Sequence, residues 1–132
     1  MKNIPETHRD LLTDEKKAFA YLATVMNDGS TQVTPVWFNT DGETILLNTV
    51  INRTKDKNMS ARPHIAICIA DPTDPYRYLQ LRGVIVERTI EGAEAHIDTL
   101  SMKYRGEPVY NRHRPDLPRV IHKLRVEKVD PH

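Results

Sequence analysis

The sequence has little of several features that would assign its class directly. Its single cysteine, Cys68, excludes an internal disulfide and a zinc site built on thiolates, and it fits a reducing cytoplasm. No apolar run approaches the roughly 20 residues that a membrane-spanning helix needs. The polar N-terminus, MKNIPETHRD, does not resemble a signal peptide. These absences argue against a secreted or membrane protein and predict a cytoplasmic one.

An excess of charge of one sign is also lacking. Nineteen Lys and Arg residues oppose 18 Asp and Glu residues, so the 132-residue chain has a formal net charge of +1. A hydrophobic fraction of 39% with 28% charged residues is ordinary for a globular protein. The length predicts a single domain over residues 1–132. Such a domain has little room for both a full core and a deep ligand cavity of its own.

Motifs for catalysis without a cofactor are missing as well. The six histidines are scattered, with no pair at metal-ligand spacing, so no metal site is predicted. Cys68 lies in an apolar run and is interpreted as a core residue, not as a nucleophile. There is no glycine-rich nucleotide motif and no serine in a nucleophile elbow. No catalytic residue is therefore assigned, and an enzyme of this sequence would depend on a bound cofactor.

Apolar runs separated by turn residues predict a β-rich domain. The order αβββαββαβ with short connections indicates a small α+β barrel, mainly β and mainly antiparallel. Gly83 is expected to form a bulge, and Pro35 to mark an edge or break in its strand. The predicted strands are residues 19–26, 31–39, 44–50, 65–70, 76–87 and 119–129, and the predicted helices are residues 5–17, 52–62 and 90–104.

The near-neutral total conceals a local excess of positive charge. Residues 53–62 contain four basic side chains and one acid, a balance of +3. They fall where the third strand ends and a helix begins, and the free N–H groups and dipole of a helix N-terminus favour an anion there. Arg53 can engage two phosphate oxygens at once, and Lys55 adds a mobile charge. The pattern predicts a phosphate cradle, with a solvated basic helix as the alternative.

A second basic region covers residues 103–128, with eight basic and three acidic residues. Nucleic-acid binding is one interpretation of this excess. It is not favoured, because alternation in the last strand is typical of any half-exposed strand, and few aromatic residues lie among the basic ones. No nucleic-acid partner is predicted.

Five groups of motifs follow one another along the chain. They are residues 23–25 with Asp28–Gly29, residues 34–38 (TPVWF), residues 48–59 (NTVINRTKDKNM) with Arg62–Pro63, Asp71–Pro72 with residues 76–83 (YRYLQLRG), and residues 119–129. Their order and spacing resemble the pyridoxamine 5′-phosphate oxidase-like family of FMN- and F420-binding proteins. The similarity extends over residues 10–129 and is greatest to the F420-dependent branch. It implies a six-stranded antiparallel split β-barrel with Greek-key topology and short helices.

The resemblance implies a homodimer with two cofactor sites at the subunit interface. The cofactor phosphate would be held by Arg53 and Lys55, supported by Lys57 and Asn58. The ring would contact Asn48 and Thr49 beneath it, Gln32, Pro35, Val36 and Trp37 at its pyrimidine edge, and Tyr76 and Tyr78 from the partner chain. Two of these residues have an alternative role without cofactor contact: Trp37 as a core residue and Tyr78 as a residue of the dimer interface.

The function that the resemblance implies is hydride transfer between coenzyme F420 and an unsaturated small molecule. One alternative is an FMN-binding flavin oxidoreductase or flavin reductase, and another is a non-catalytic carrier or sensor of the cofactor; haem binding ranks last. Oxidation of pyridoxamine phosphate itself is not favoured, since the chain lacks the extra length and substrate-phosphate residues of the true oxidases. The oligoglutamate tail of F420 could follow Lys57, Arg62 and the basic C-terminal half.

Overall fold

The computed structural model describes all residues, Met1–His132. It contains seven strands, two α-helices and one 3₁₀ helix. In chain order these are the 3₁₀ helix Glu6–Leu12, β1 Ala20–Val25, β2 Thr31–Val36, β3 Phe38–Thr40, β4 Ile45–Val50, α1 Thr54–Ala61, β5 His64–Asp71, β6 Asp74–Thr89, α2 Ala93–Arg105 and β7 Arg119–Pro131. None of the helices has the length and apolar character that crossing a membrane requires.

All seven strands form one antiparallel sheet with the order β2-β1-β5-β6-β7-β4-β3. The strands at the two ends of this order, β2 and β3, are separated in the chain by Trp37 alone. The sheet must therefore curl until its two edges meet at this residue. The expected α+β class, mainly β with short helices in an antiparallel split barrel, is confirmed.

The number of strands is seven and not the predicted six, because the segment 31–39 forms two strands. Val36 pairs with Ala20 of β1, whereas Phe38 pairs with Leu47 of β4 at the opposite edge. Two side chains of α2 bind the backbone of Phe38, where the segment stops pairing with β1 and begins to pair with β4. The Lys103 ammonium donates to the Phe38 carbonyl at 2.7 Å, and the Phe38 N–H donates to the Tyr104 hydroxyl at 3.2 Å.

The core lies inside the barrel, where alternate residues of each strand point inward. In β5, Ile65, Ile67 and Ile69 are buried, while the residues between them are half-exposed. Cys68 is one of these outward residues, so it does not belong to the core. The outer side of β5 is thus apolar but only partly covered within one chain.

Gly83 is the bulge that the sequence predicted. The register between β6 and β7 shifts between Arg82 and Gly83. A Cβ atom at position 83 would collide with the carbonyl oxygen of Arg125, so only glycine fits this close approach of the two strands.

Candidate functional site

The turn between β4 and α1 is fixed by a buried carboxylate. Asp56 accepts a hydrogen bond from the backbone N–H of Asn52 at 2.8 Å, and Asn52 has a left-handed backbone with φ of 70°. Arg88 donates twice to Asp56, both at 3.0 Å, and His122 donates at 2.7 Å. Burial alone would raise the pKa of Asp56, but these hydrogen bonds and the Arg88 charge outweigh it and hold the pKa well below its usual range.

This turn presents Arg53 and Lys55 to a cavity of about 310 Å³, called here the cationic cleft. Burial, followed by the charge of Arg53, lowers the pKa of Lys55. Five basic residues and no acidic residue line the cleft. The lining residues are Asn48, Thr49, Val50, Arg53, Lys55, Tyr110, Arg112, Arg114, Leu117 and Arg119.

Most of the positive charge in the cleft has no counter-ion within the chain. Arg114 pairs with Asp116 at 2.6 Å. Arg53, Lys55, Arg112 and Arg119 form no salt bridge. Like charges gathered in this way repel one another, and an anion removes the repulsion. The cleft is therefore suited to a ligand with more than one negative charge.

A second cavity of about 350 Å³ adjoins the cleft and is called here the aromatic cavity. Its walls are mostly apolar, and it shares three residues with the cationic cleft, so the two cavities are neighbours. The shared residues are Asn48, Tyr110 and Arg119, and the remaining lining consists of Phe19, Pro35, Val36, Trp37, Ile97 and Leu100.

Trp37 is held as a wall of the aromatic cavity by other rings. It stacks on Tyr104 with centroids 5.1 Å apart and meets Tyr110 edge-on at 6.0 Å. Tyr104 also donates its hydroxyl hydrogen to the Ala18 carbonyl at 2.7 Å. None of the backbone hydrogen bonds outside the regular elements involves Trp37. Its peptide groups, which lie where the strand changes partner, thus have no backbone partner in the loops and turns of the chain.

The loop between α2 and β7 brings Tyr110, Arg112 and Arg114 to the cleft and is tied to α2 by carboxylates. His113 bridges Asp98 at 2.6 Å and Glu94 at 3.0 Å. These hydrogen bonds, that with Asp98 foremost, raise the pKa of His113. The same carboxylates also accept backbone N–H groups at the two ends of this segment, from Tyr110 and Arg119.

The structure brings together seven of the twelve residues that the sequence suggested for the cofactor. Arg53, Lys55 and Thr49 line the cationic cleft, Pro35, Val36 and Trp37 line the aromatic cavity, and Asn48 lines both.

The other five suggested residues line neither cavity. Lys57 is exposed. Tyr76 is exposed and Tyr78 stacks on His132. Both tyrosines are expected to approach the cofactor from the partner chain, so their contact with it stays a prediction. The side-chain amide oxygen of Gln32 accepts a hydrogen bond from the Thr24 hydroxyl at 3.4 Å. Asn58 is buried and bonded to β1.

Asn58 and Arg62 tie α1 to β1. Asn58 donates to the Thr24 hydroxyl at 3.0 Å and accepts from Arg62 at 3.1 Å. Arg62 also donates to the Val25 carbonyl at 2.7 Å. The guanidinium that was considered for a cofactor tail is therefore engaged in holding the helix.

The second basic region contributes four residues to the site, although the resemblance linked that region only as a whole, through the cofactor tail, to the ligand. Tyr110, Arg112, Arg114 and Arg119 all fall within residues 103–128. No individual role was predicted for them, and the signal that could have identified them is the charge excess of that region.

The fold and the site together define a class: small antiparallel split barrels with a cleft lined by basic residues beside an aromatic cavity. Residues 4–132 match the family model described as pyridoxamine 5′-phosphate oxidase, and the chain belongs to this family. No curated protein matches the chain.

Solved structures agree with this membership. One named F420 reductase is 32% identical, with a TM-score of 0.85 over 96% of this chain and 98% of the other. A candidate pyridoxamine 5′-phosphate oxidase from Listeria innocua is 17% identical, with a TM-score of 0.71 over 96% and 95%. HupZ from Group A Streptococcus is 19% identical, with a TM-score of 0.69 over 97% and 93%. The last two similarities show the fold alone.

Proposed function

We propose that the chain is an F420-dependent oxidoreductase that reduces an unsaturated small molecule. The observation that carries this proposal is the cationic cleft, with four basic side chains free of any counter-ion, beside an aromatic cavity that shares three of its lining residues. That arrangement suits a planar ring joined through a short chain to an anion. The similarity to a structure named F420 reductase supports the same class of cofactor.

The residues present fit such a cofactor at both ends. Arg53 and Lys55 would hold the phosphate, because a guanidinium can pair with two oxygens and an ammonium adds a mobile charge. The ring would enter the aromatic cavity, where Trp37 offers an apolar face and uncommitted peptide groups. The walls formed by Ile97 and Leu100 would exclude water from the ring.

When bound, the cofactor supplies a hydride to the acceptor. The side chains of the site would bind, orient and shield the reacting groups. No proton donor is assigned to the reaction.

The amount of charge favours F420 over FMN. FMN brings one phosphate, whereas F420 brings a phosphodiester and the carboxylates of its glutamate tail. Arg112 and Arg114 extend the cleft beyond Arg53 and Lys55, which would suit the additional anions. FMN is the alternative, since it presents a phosphate to the same cradle. A non-catalytic carrier of either cofactor would bind it without turnover.

We also propose that two copies of the chain associate, with the cofactor site at their interface, in a cytoplasmic enzyme formed by the domain 1–132. The outer side of β1, β2 and β5 supports this association. Tyr21 is 44% exposed and Val33 63% exposed. In the strand register Tyr21 lies between Pro35 and Cys68, and Ala23 lies between Val33 and Ala66, so these residues form one apolar surface. Sedimentation equilibrium of the protein measures this association.

The experiment is a spectroscopic titration of the purified protein with F420 and, separately, with FMN. Saturable F420 binding, followed by reoxidation of reduced F420 when an unsaturated acceptor is added, is the expected result. Binding of FMN with no binding of F420 would contradict the F420 assignment and favour the flavin alternative. Tight F420 binding with no turnover of any acceptor in a panel of conjugated enones and nitroaromatics would favour the carrier.

A further inference from the structure

The boundary between the two cavities contains a chain of hydrogen bonds that the phosphate cradle does not use. Asn48 lies at its centre, and its side-chain NH₂ donates to the Ala93 carbonyl at 2.9 Å and to His96 Nδ1 at 3.1 Å. Its oxygen accepts from the Arg119 guanidinium at 3.1 Å. His96 Nε2 in turn lies 2.8 Å from Asn39 Oδ1. The chain of contacts thus leads from β3 through α2 to Arg119.

The orientation of the Asn48 amide follows from its neighbours. The Ala93 carbonyl can only accept, so the NH₂ group must face α2. Burial lowers the pKa of His96 to about 4, which keeps the ring neutral near neutral pH. With its proton on Nε2, donated to Asn39, His96 offers Nδ1 as a second acceptor for the Asn48 NH₂ group. The Asn48 oxygen is therefore directed toward Arg119.

Arg119 is held in place by its neighbours, but no carboxylate pairs with its guanidinium. Its guanidinium carbon lies 4.9 Å from the centroid of the Tyr110 ring, and its backbone N–H donates to Glu94 at 2.9 Å. A guanidinium has five N–H donors, of which Arg119 uses one to Asn48 at 3.1 Å and one, at the longer distance of 3.5 Å, to the Tyr110 hydroxyl. The group lines both cavities, whereas Arg53 and Lys55 line the cationic cleft alone.

We propose that Arg119, oriented by Asn48 and His96, is a second anion-binding group that contacts the ring end of the bound cofactor and not its phosphate. This assignment rests on the proposed function, since it presumes that a ring occupies the aromatic cavity. His96 is then a positioning residue, acting through Asn48. The ring that fits is one whose pyrimidine edge carries carbonyl oxygens and gains negative charge on reduction, as in flavins and deazaflavins.

The test compares ligands that share a ring but differ in the phosphate. The probes are FMN and riboflavin, or F420 and the deazaflavin riboside that lacks the phosphate and tail, according to the ring that the protein binds. Arg119→Gln should weaken both members of a pair by the same factor, on the order of tenfold, because each contains the ring. Arg53→Ala should weaken only the phosphorylated member.

The role of His96 is tested by a non-polar and a conservative variant. His96→Phe should weaken both ligands in the same way as Arg119→Gln, and the double variant should be no weaker than Arg119→Gln alone. His96→Gln, whose amide can both accept from Asn48 and donate to Asn39, should restore binding. Ser101→Ala alters another buried residue of α2 outside this chain of contacts and serves as the control for substitution within this helix. Thermal unfolding of each variant identifies those that do not fold.

The outcomes separate this assignment from the proposed function. If Arg119→Gln weakens only the phosphorylated ligand, Arg119 belongs to the phosphate cradle and the assignment is wrong, while the proposed function stands. If His96→Phe folds and binds both ligands as the unaltered protein does, the positioning role of His96 is wrong. If the unaltered protein binds neither ring, the proposed function fails and this assignment fails with it.

Discussion

Two groups of basic residues in this molecule have opposite relations to acidic ones. Near the 3₁₀ helix, Arg77 contacts Asp10 at 2.6 Å and Asp71 at 2.9 Å, and Lys16 lies 3.5 and 3.6 Å from the same carboxylates. In the cationic cleft, Arg53 and Lys55 face other cations and no carboxylate. The first group joins parts of the fold, whereas the second depends on a ligand for its counter-charge. Residue type alone does not distinguish these roles.

The largest expected effect is on ligand binding at the cleft. Arg53→Ala combined with Lys55→Ala should weaken cofactor binding by about 100-fold or more, because charge-assisted hydrogen bonds contribute roughly 1.5–3 kcal/mol each. The melting temperature should not fall, since the change removes repulsion. Lys57→Ala, an exposed residue of the same helix outside the cleft, is the matched control. Calorimetric titration measures the affinity, and equal affinities for the double variant and the control would refute the cradle.

A substitution in the group near the 3₁₀ helix should affect stability and not cofactor binding, the opposite of the substitutions in the cleft. Arg77→Met removes the cation that joins Asp10 and Asp71, so the melting temperature should fall while cofactor affinity stays unchanged. Differential scanning calorimetry and the same titration measure both quantities. A loss of affinity without a loss of stability would mean that the Arg77 group also serves the ligand.

The buried pair of Asp56 and Arg88 should contribute to both stability and binding. Asp56→Ala leaves Arg88 and His122 without their partner and frees the Asn52 turn, which should cost about 3 kcal/mol of unfolding free energy. Cofactor affinity should also fall, because Arg53 follows directly on this turn. Denaturant unfolding gives the free energy. Asp41→Ala, which removes an exposed turn carboxylate bonded to Thr44, is the control and should cost less.

The aromatic cavity should make a smaller contribution than the cleft. Trp37→Leu keeps an apolar wall but removes the stacking face and should weaken cofactor binding by about tenfold, in the range of aromatic contacts of roughly 0.5–1.5 kcal/mol. Because Trp37 is the only tryptophan, its fluorescence in the unaltered protein reports on the cavity directly. Binding that leaves this fluorescence unchanged would place the ring elsewhere.

The smallest expected effect is a dependence on pH through His113. Its pKa is raised by Asp98 and Glu94, so the charged form is favoured in the folded chain. The ion pairs of His113 therefore stabilise the loop fully when the pH is below the usual histidine pKa of about 6.5. This stabilisation is lost as the pH rises through the raised pKa of His113. Cofactor affinity should therefore decline by no more than about threefold toward alkaline pH, since the ion pairs are exposed. His113→Asn should remove this decline, and a decline of the same size in the variant would assign it to another group.

Local features of the chain were predictable from sequence because they depend on neighbouring residues. The turns at Gly29 and Gly42 adopt left-handed backbones, with φ of 87° and 93°, as turn chemistry predicts. The placement of Arg53 and Lys55 at one end of β4 follows likewise from a strand, a turn and a helix in succession. The residues that end such elements lie next to them in the sequence, so their boundaries can be predicted locally.

Features that depend on distant residues were not predictable in the same way. The division of the second strand at Trp37 depends on Lys103 and Tyr104, which approach from α2. Arg119 is positioned at the site by hydrogen bonds to two residues that are distant in the sequence, Asn48 of β4 and Glu94 of α2. Periodicity within residues 103–128 does not encode those contacts, so the individual residues of this basic region were not predicted to line the site.

The central claim is that the unneutralised cations of the cleft hold the phosphate of a cofactor whose ring lies in the aromatic cavity. A crystal structure of the protein grown with the coenzyme selected by titration tests it most directly. We expect the phosphate in contact with Arg53 and Lys55, and the ring against Trp37 and within reach of Arg119. A coenzyme bound with its phosphate away from both Arg53 and Lys55 would contradict the claim.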